Sequence, residues 1–181
     1  MTVRPNTLTI AYDTILNSAK KFAPFWGEPM QTEGGDVQFS KLPDLLEGLQ
    51  VKPRLKRWVL GGVCSMTLHI CRKIETEEKC FLSFRGNRGG HFFTKDKSCY
   101  GEQLQATLNT DRTLMELLCG LDLEELTLQI ESGHIILTMT PFGGGLVYLA
   151  LPPLRYPVAF PADQIETMVN SMERLNAKIC V

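Results

Sequence analysis

The chain lacks the long apolar run that a membrane span requires. No stretch approaches roughly 18 uninterrupted apolar residues, so no membrane partner is expected. It also lacks an apolar run behind its first basic residue in Met1-Thr2-Val3-Arg4-Pro5-Asn6, which argues against a secretory leader. No CxxC occurs among its 6 cysteines, at positions 64, 71, 80, 99, 119 and 180, and none stands at short metal-ligand spacing from a histidine. A zinc site is thereby disfavoured, and reduced thiols in a cytoplasmic protein are the expectation. The 3 histidines, His69, His91 and His134, fall in no HxH or HExxH spacing. There is no GxSxG elbow, no GxxxxGK[ST] loop and no RNP, KH or zinc-finger signature. These absences leave no catalytic residue, metal or cofactor to assign.

What is present is an ordinary globular composition with an uneven charge distribution. The 181 residues are 44% hydrophobic and 22% charged, enough for one domain over 1–181 with a full core. Residues 51–100 carry 11 Lys/Arg against 4 Asp/Glu, a net of +7. Residues 1–50 carry 4 against 6, and residues 101–181 carry 4 against 10, nets of −2 and −6. A basic middle between acidic flanks implies an anionic partner, or complementary parts of one fold or of two copies.

Leu8, Tyr12, Ile15, Ala19 and Phe22 recur at helical spacing, which predicts a helix over 7–23 ended by Pro24 and Gly27. Residues 24–54 read as irregular, with a short strand at Val37–Ser40 and a helical turn at 44–49. Gly61-Gly62 marks a turn or bulge. Met66, Leu68 and Ile70 then alternate with polar partners, and Phe81–Arg85 and His91–Thr94 continue a basic meander over 55–100. Within it, a turn at Glu75-Thr76 would set Cys71 opposite Cys80. A second helix fits 111–119, capped by Asn109 or Thr110.

The segment after it is the best specified. A two-residue turn at Ser132-Gly133 places Ile130 opposite Ile135, Leu128 opposite Leu137 and Leu126 opposite Met139, and a slip of one residue would mix the faces. A second turn through 141–145 would set Met139 opposite Val147. Pro152-Pro153 ends the sheet, and Ile165, Met168, Val169, Met172, Leu175 and Ile179 stripe a last helix. The expected fold is α+β: an antiparallel sheet of two meanders, with N-terminal, middle and C-terminal helices packed mainly on one face. The order of elements is similar to that of the small dimeric chaperones of type III secretion, a likeness carried by no residue motif.

Two sets of residues are candidate sites. The basic set is Lys56, Arg57, Arg85, Arg88 and His91. Lys56 and Arg57 stand in a cluster beside Trp58, and the other three belong to the loop Arg85-Gly86-Asn87-Arg88-Gly89-Gly90-His91. Glycines expose backbone N–H groups and arginines grip phosphate or carboxylate. A hairpin loop kept soluble by its arginines is the plainer account. The second set is Leu154, Arg155, Tyr156 and Phe160, in an extended, proline-fenced, aromatic stretch that could line a pocket or a partner groove.

The leading reading is a non-enzymatic binding protein that engages a protein partner or a small ligand, with a homodimer as one form. It expects an exposed apolar patch, a dimer interface or a pocket beside residues 152–161. Anion or nucleic-acid binding through 52–97 is the alternative. Nucleic acid is disfavoured by a pI of 6.3, against the roughly 9 of dedicated nucleic-acid domains. An enzyme without a legible motif is the third reading.

Overall fold

The computed structural model describes residues 7–74, 76, 78–86, 90–94 and 98–179. Helix α1 (Thr7–Ala19) buries Ala11, Ile15, Ser18 and Ala19. The expected stop at Pro24 does not occur. A 3-10 turn, Lys20–Phe22, leads into the short α2 (Ala23–Trp26) with Pro24 in its first turn, where a missing N–H leaves no bond unmade. Gly27, at φ 74°, then ends the helix.

The irregular stretch expected to residue 54 is shorter than that. It contains β1 (Pro29–Gln31), β2 (Val37–Phe39) and a 3-10 turn at Asp44–Leu46, and β3 (Leu49–Trp58) begins five residues before its expected end. Pro53 is tolerated inside β3 because β2 pairs only with Gln50 and Val51. Beyond them β3 is an edge, where a missing donor leaves no ladder bond broken. Val59-Leu60, not Gly61-Gly62, makes the turn into β4 (Gly61–Lys73), with Trp58 opposite Gly61. Then follow β5 (Cys80–Arg85), β6 (His91–Thr94) and two helices, α3 (Cys99–Thr110) and α4 (Arg112–Cys119).

Sequence periodicity had not indicated α3. It starts at Ser98, whose Oγ accepts from the Gly101 N–H at 3.0 Å. Asn109, expected as a cap, instead clamps the backbone of β6: Phe92 N–H donates to its Oδ1 at 2.7 Å, and its Nδ2 donates to Phe92 O at 3.0 Å. The cap of α4 is Asp111, which accepts from Leu114 N–H at 3.0 Å. The chain finishes with β7 (Leu123–Glu131), β8 (His134–Pro141), β9 (Gly145–Leu149), β10 (Leu154–Val158), a 3-10 turn Ala162–Gln164 and α5 (Ile165–Ile179).

Among the described residues, all ten strands belong to one antiparallel sheet, so the fold is α+β with helices at the N-terminus, in the middle and at the C-terminus. Its order is β1-β2-β3-β4-β8-β7-β5-β6, with β9 on β4 and β10 on β9. The β7–β8 hairpin has the expected register, from Ile130↔Ile135 to Glu125↔Thr140, and Ser132 and Gly133 take the positive φ (53° and 70°) that such two-residue turns demand.

Two expected pairings do not form. β4 and β5 are not neighbours, because β8 and β7 stand between them. Cys71 therefore faces Ile136, and Cys80 faces Ile130. The segment 141–145 does not reverse the chain. It bulges and lets β9 continue along the same edge of β4 that β8 occupies, so Val147 faces Val63 rather than Met139. Gly145 makes this feasible, since a Cβ there would strike the Cys64 carbonyl oxygen.

One sheet face carries the core: Val51, Met66, Leu68, Ile70, Leu128, Leu137 and Met139 are buried with α5's Met168, Met172 and Leu175. The other face is polar. A single cross-strand row runs Gln38, Gln50, His69, Thr138, Thr127, Ser83, Phe93. Burial, reinforced by Lys52 and opposed by Asp36, lowers the His69 pKa.

The charge blocks find partners in one another. Arg54 pairs with Glu125, Lys56 with Glu124, and Lys79 with Glu131 at 3.1 Å. The basic middle and the acidic C-terminal third thus meet across the sheet.

Candidate functional site

A cleft opens where α1 crosses the β9–β10 end of the sheet. Its larger part, about 530 Å³, is lined by Thr7, Tyr148, Leu149, Ala150, Pro153 and Arg155. An adjoining recess of about 160 Å³ shares Thr7 and Tyr148 and adds Leu8, Ala11, Leu55, Arg57 and Cys64. The combined size suits a small ligand.

The cleft is built on one cross-strand row. Arg57 of β3 faces Gly62 of β4, Gly62 faces Tyr148 of β9, and Tyr148 faces Arg155 of β10. Register partners share a face, so both arginines and the phenol point to the α1 side. Three strand spacings put the arginine Cα atoms about 14 Å apart. Gly62 leaves the gap that the Tyr148 ring fills: a Cβ there would lie 2.5 Å from Tyr148 Oη and 2.6 Å from the Lys56 carbonyl oxygen. Two residues inward, Leu55, Cys64 and Leu146 continue the floor as an apolar row. The cleft therefore has an apolar floor and a cationic, hydroxyl-bearing rim. Burial raises the Cys64 pKa, which favours the neutral thiol.

Gly62→Ala is expected to force the Tyr148 ring out of the row and to cost about 1–3 kcal/mol. Urea unfolding measures the cost, and Tyr148 mobility by NMR measures the displacement. An unchanged ring would show that the gap is not needed.

The residues singled out from the sequence separate as follows. Arg57 and Arg155, taken from different candidate sets, meet in this cleft. Lys56 lies on the opposite face, held by Glu124, because successive strand residues alternate. Arg85 sits over the Phe93 ring at 5.0 Å, with His91 as its register partner and the His91 ring 4.1 Å from Phe93. Those two are together at the far edge of the sheet, on β5 and β6. Arg88 lies outside the described residues. Leu154 is half-buried opposite Leu149, and Tyr156 is exposed on the other face from Arg155. Phe160 is a core residue, 5.5 Å from the Phe22 ring. Lys21 Nζ donates to the Phe160 carbonyl at 2.7 Å.

Sequence reasoning missed Tyr148, Gly62, Leu55 and Thr7. Their convergence depends on β9 joining β4, which no local pattern signals. Among the described residues no group of three His, Cys, Asp or Glu could hold a metal ion. Among the described residues no helix is long and apolar enough to cross a membrane.

No curated protein and no solved structure matches the chain, so the likeness to type III secretion chaperones stays one of element order. A family model does match, over residues 20–179. That span includes Arg57, Gly62, Tyr148 and Arg155 but leaves out the α1 wall of the cleft. On this match over most of its length, the chain belongs to the DUF3156 family, described as protein of unknown function.

Proposed function

We propose that the protein binds a small amphiphile, a molecule with one anionic head and an apolar body, in the cleft beneath α1. The observation that carries this reading is the row Arg57–Gly62–Tyr148–Arg155 above an apolar floor. Two guanidinium groups offer charge-assisted hydrogen bonds to a carboxylate or phosphate, and the Tyr148 hydroxyl lies over Gly62 in the same row. Leu55, Ala11 and Leu8 offer the recess an alkyl or aryl body needs. The reading keeps the cytoplasmic, non-enzymatic binding role expected from the sequence.

The pairings of the basic segment speak against nucleic acid. Arg54, Lys56 and Lys79 are matched by glutamates, and Lys56 and Arg57 face opposite ways.

Isothermal titration with dodecanoate and dodecyl phosphate, and with dodecanol as the neutral control, tests the proposal. Both anions are expected to bind and dodecanol to bind far more weakly. Arg57→Ala and Arg155→Ala are each expected to weaken anion binding by about tenfold or more. Equal binding of dodecanol, or unchanged affinity in both variants, overturns the reading.

A further inference from the structure

We propose that the end of the sheet carrying the cleft mouth docks onto the surface of an anionic lipid bilayer, a peripheral contact that the lack of a spanning segment, on which the expectation of no membrane partner rested, does not exclude. Two hairpin tips meet there, the β3–β4 turn at Val59-Leu60 and the β9–β10 turn at 150–153. The Ala150 N–H donates to Leu60 O at 2.9 Å and joins them. Both tips are apolar and project into solvent: Val59 is 97% exposed, Leu151 74%, Leu60 51% and Trp58 49%. A side chain as open as Val59 forms a convex point. A bilayer accepts such a point without a matching pocket, whereas a protein partner would have to supply one. Trp58 is the side-chain type that settles at the lipid–water interface.

Charge complementarity identifies the surface as anionic. Arg57 adjoins Trp58 on β3, so a cation stands next to the apolar tip, as binding at anionic headgroups requires. Residues 48–74 and 132–162, which include β3, β4, β8, β9 and β10, contain no Asp or Glu. Glu124 and Glu125 pair with Lys56 and Arg54, on the opposite face from Arg57. Insertion is shallow, because the polar turn backbone must stay in the interfacial layer. The inference goes beyond the cleft reading and does not rest on it: its apolar contacts are the tips, and Arg57 is the one residue that both share.

The chain contains its own reporter. Of its 2 tryptophans, Trp26 is buried and Trp58 stands at the tip. Phosphatidylcholine–phosphatidylglycerol vesicles are expected to shift the Trp58 emission to the blue, and pure phosphatidylcholine vesicles to do so much less. Trp58→Phe is expected to abolish the shift. Val59→Asp with Leu151→Asp is expected to lower vesicle partitioning by about tenfold while leaving the thermal midpoint and dodecanoate affinity unchanged, which separates this outcome from failure of the cleft. The proposal is overturned if neither vesicle shifts the emission, if the tip variants partition like the parent, or if the shift appears without vesicles as protein concentration rises. That last result would assign the tips to a second copy of the chain.

Discussion

Phe22→Ala is expected to destabilise the protein by about 3–5 kcal/mol, a large part of the 5–15 kcal/mol typical of a domain. Phe22 is fully buried and stacks on Trp26 with ring centroids 4.8 Å apart and an interplanar angle of 7°. Phe160 packs on its other side, and Phe39 meets Trp26 edge-on at 5.2 Å. The four rings tie the end of α1 to β2 and to the segment leading into α5, so a cavity here has walls from three elements and cannot close by moving one. Phe22→Leu, which keeps most of the volume, is expected to be milder. Urea titration with the linear extrapolation measures both. A loss of under about 1 kcal/mol for Phe22→Ala would mean that the cluster collapses freely and is not the anchor of α1.

Asp111→Ala is expected to cost about 2 kcal/mol, from two sources of similar size: the N-cap of α4 and the ion pair to α5. The carboxylate is buried, while the Arg174 guanidinium that binds it remains partly in water. Arg174 Nε lies 2.9 Å from both carboxylate oxygens, and Lys178 Nζ lies 3.6 Å from Oδ2. Because Arg174 is solvated, removing Asp111 strands no buried charge, and the cost stays below that of breaking a fully buried pair.

The hydrogen bonds from Arg174 hold the Asp111 carboxyl below the usual carboxylate range, helped by the Leu114 N–H and opposed by burial. A folded pKa below the unfolded value of about 3.9 means that the stabilisation is complete above that value and disappears as pH falls through the folded pKa. Asp111→Asn retains a good cap and isolates the charge. Its stability deficit is expected to be constant from neutral pH to about pH 5 and to vanish on further acidification. A deficit independent of pH down to full acid unfolding would show that the ion pair contributes nothing.

Some of this molecule is written locally. The stripe Met168, Val169, Met172, Leu175, Ile179 is the buried face of α5, because a 3.6-residue period leaves one side apolar whatever it packs against. The β7–β8 register was equally legible, since a two-residue turn and strict alternation admit one in-phase pairing. The charge blocks were visible too, and three of their pairings lie within the fold. Other features were misread for identifiable reasons. Ser98 and Asp111 cap α3 and α4, and the polar surface of α3 offers little apolar period to detect. Pro24 does not stop the helical path, because the first turn of a helix admits proline.

The cleft belongs to a different order of information. Alternation along Gly145–Leu149 states that the strand has two faces but not which edge it joins, because the hydrogen-bonding groups of every strand are the same. Only the assembled sheet selects the edge of β4, where the bulge at 141–145 carries the chain onward and Gly62 accepts the Tyr148 ring. That choice sets Arg57 and Arg155, nearly a hundred residues apart in sequence, on one row. The sequence by itself determined α1, α4, α5 and one hairpin, which rest on short-range periodicity, and the charge blocks, which are read directly from composition. The sheet order and the site were decided by tertiary packing, which alone compares one strand edge with another.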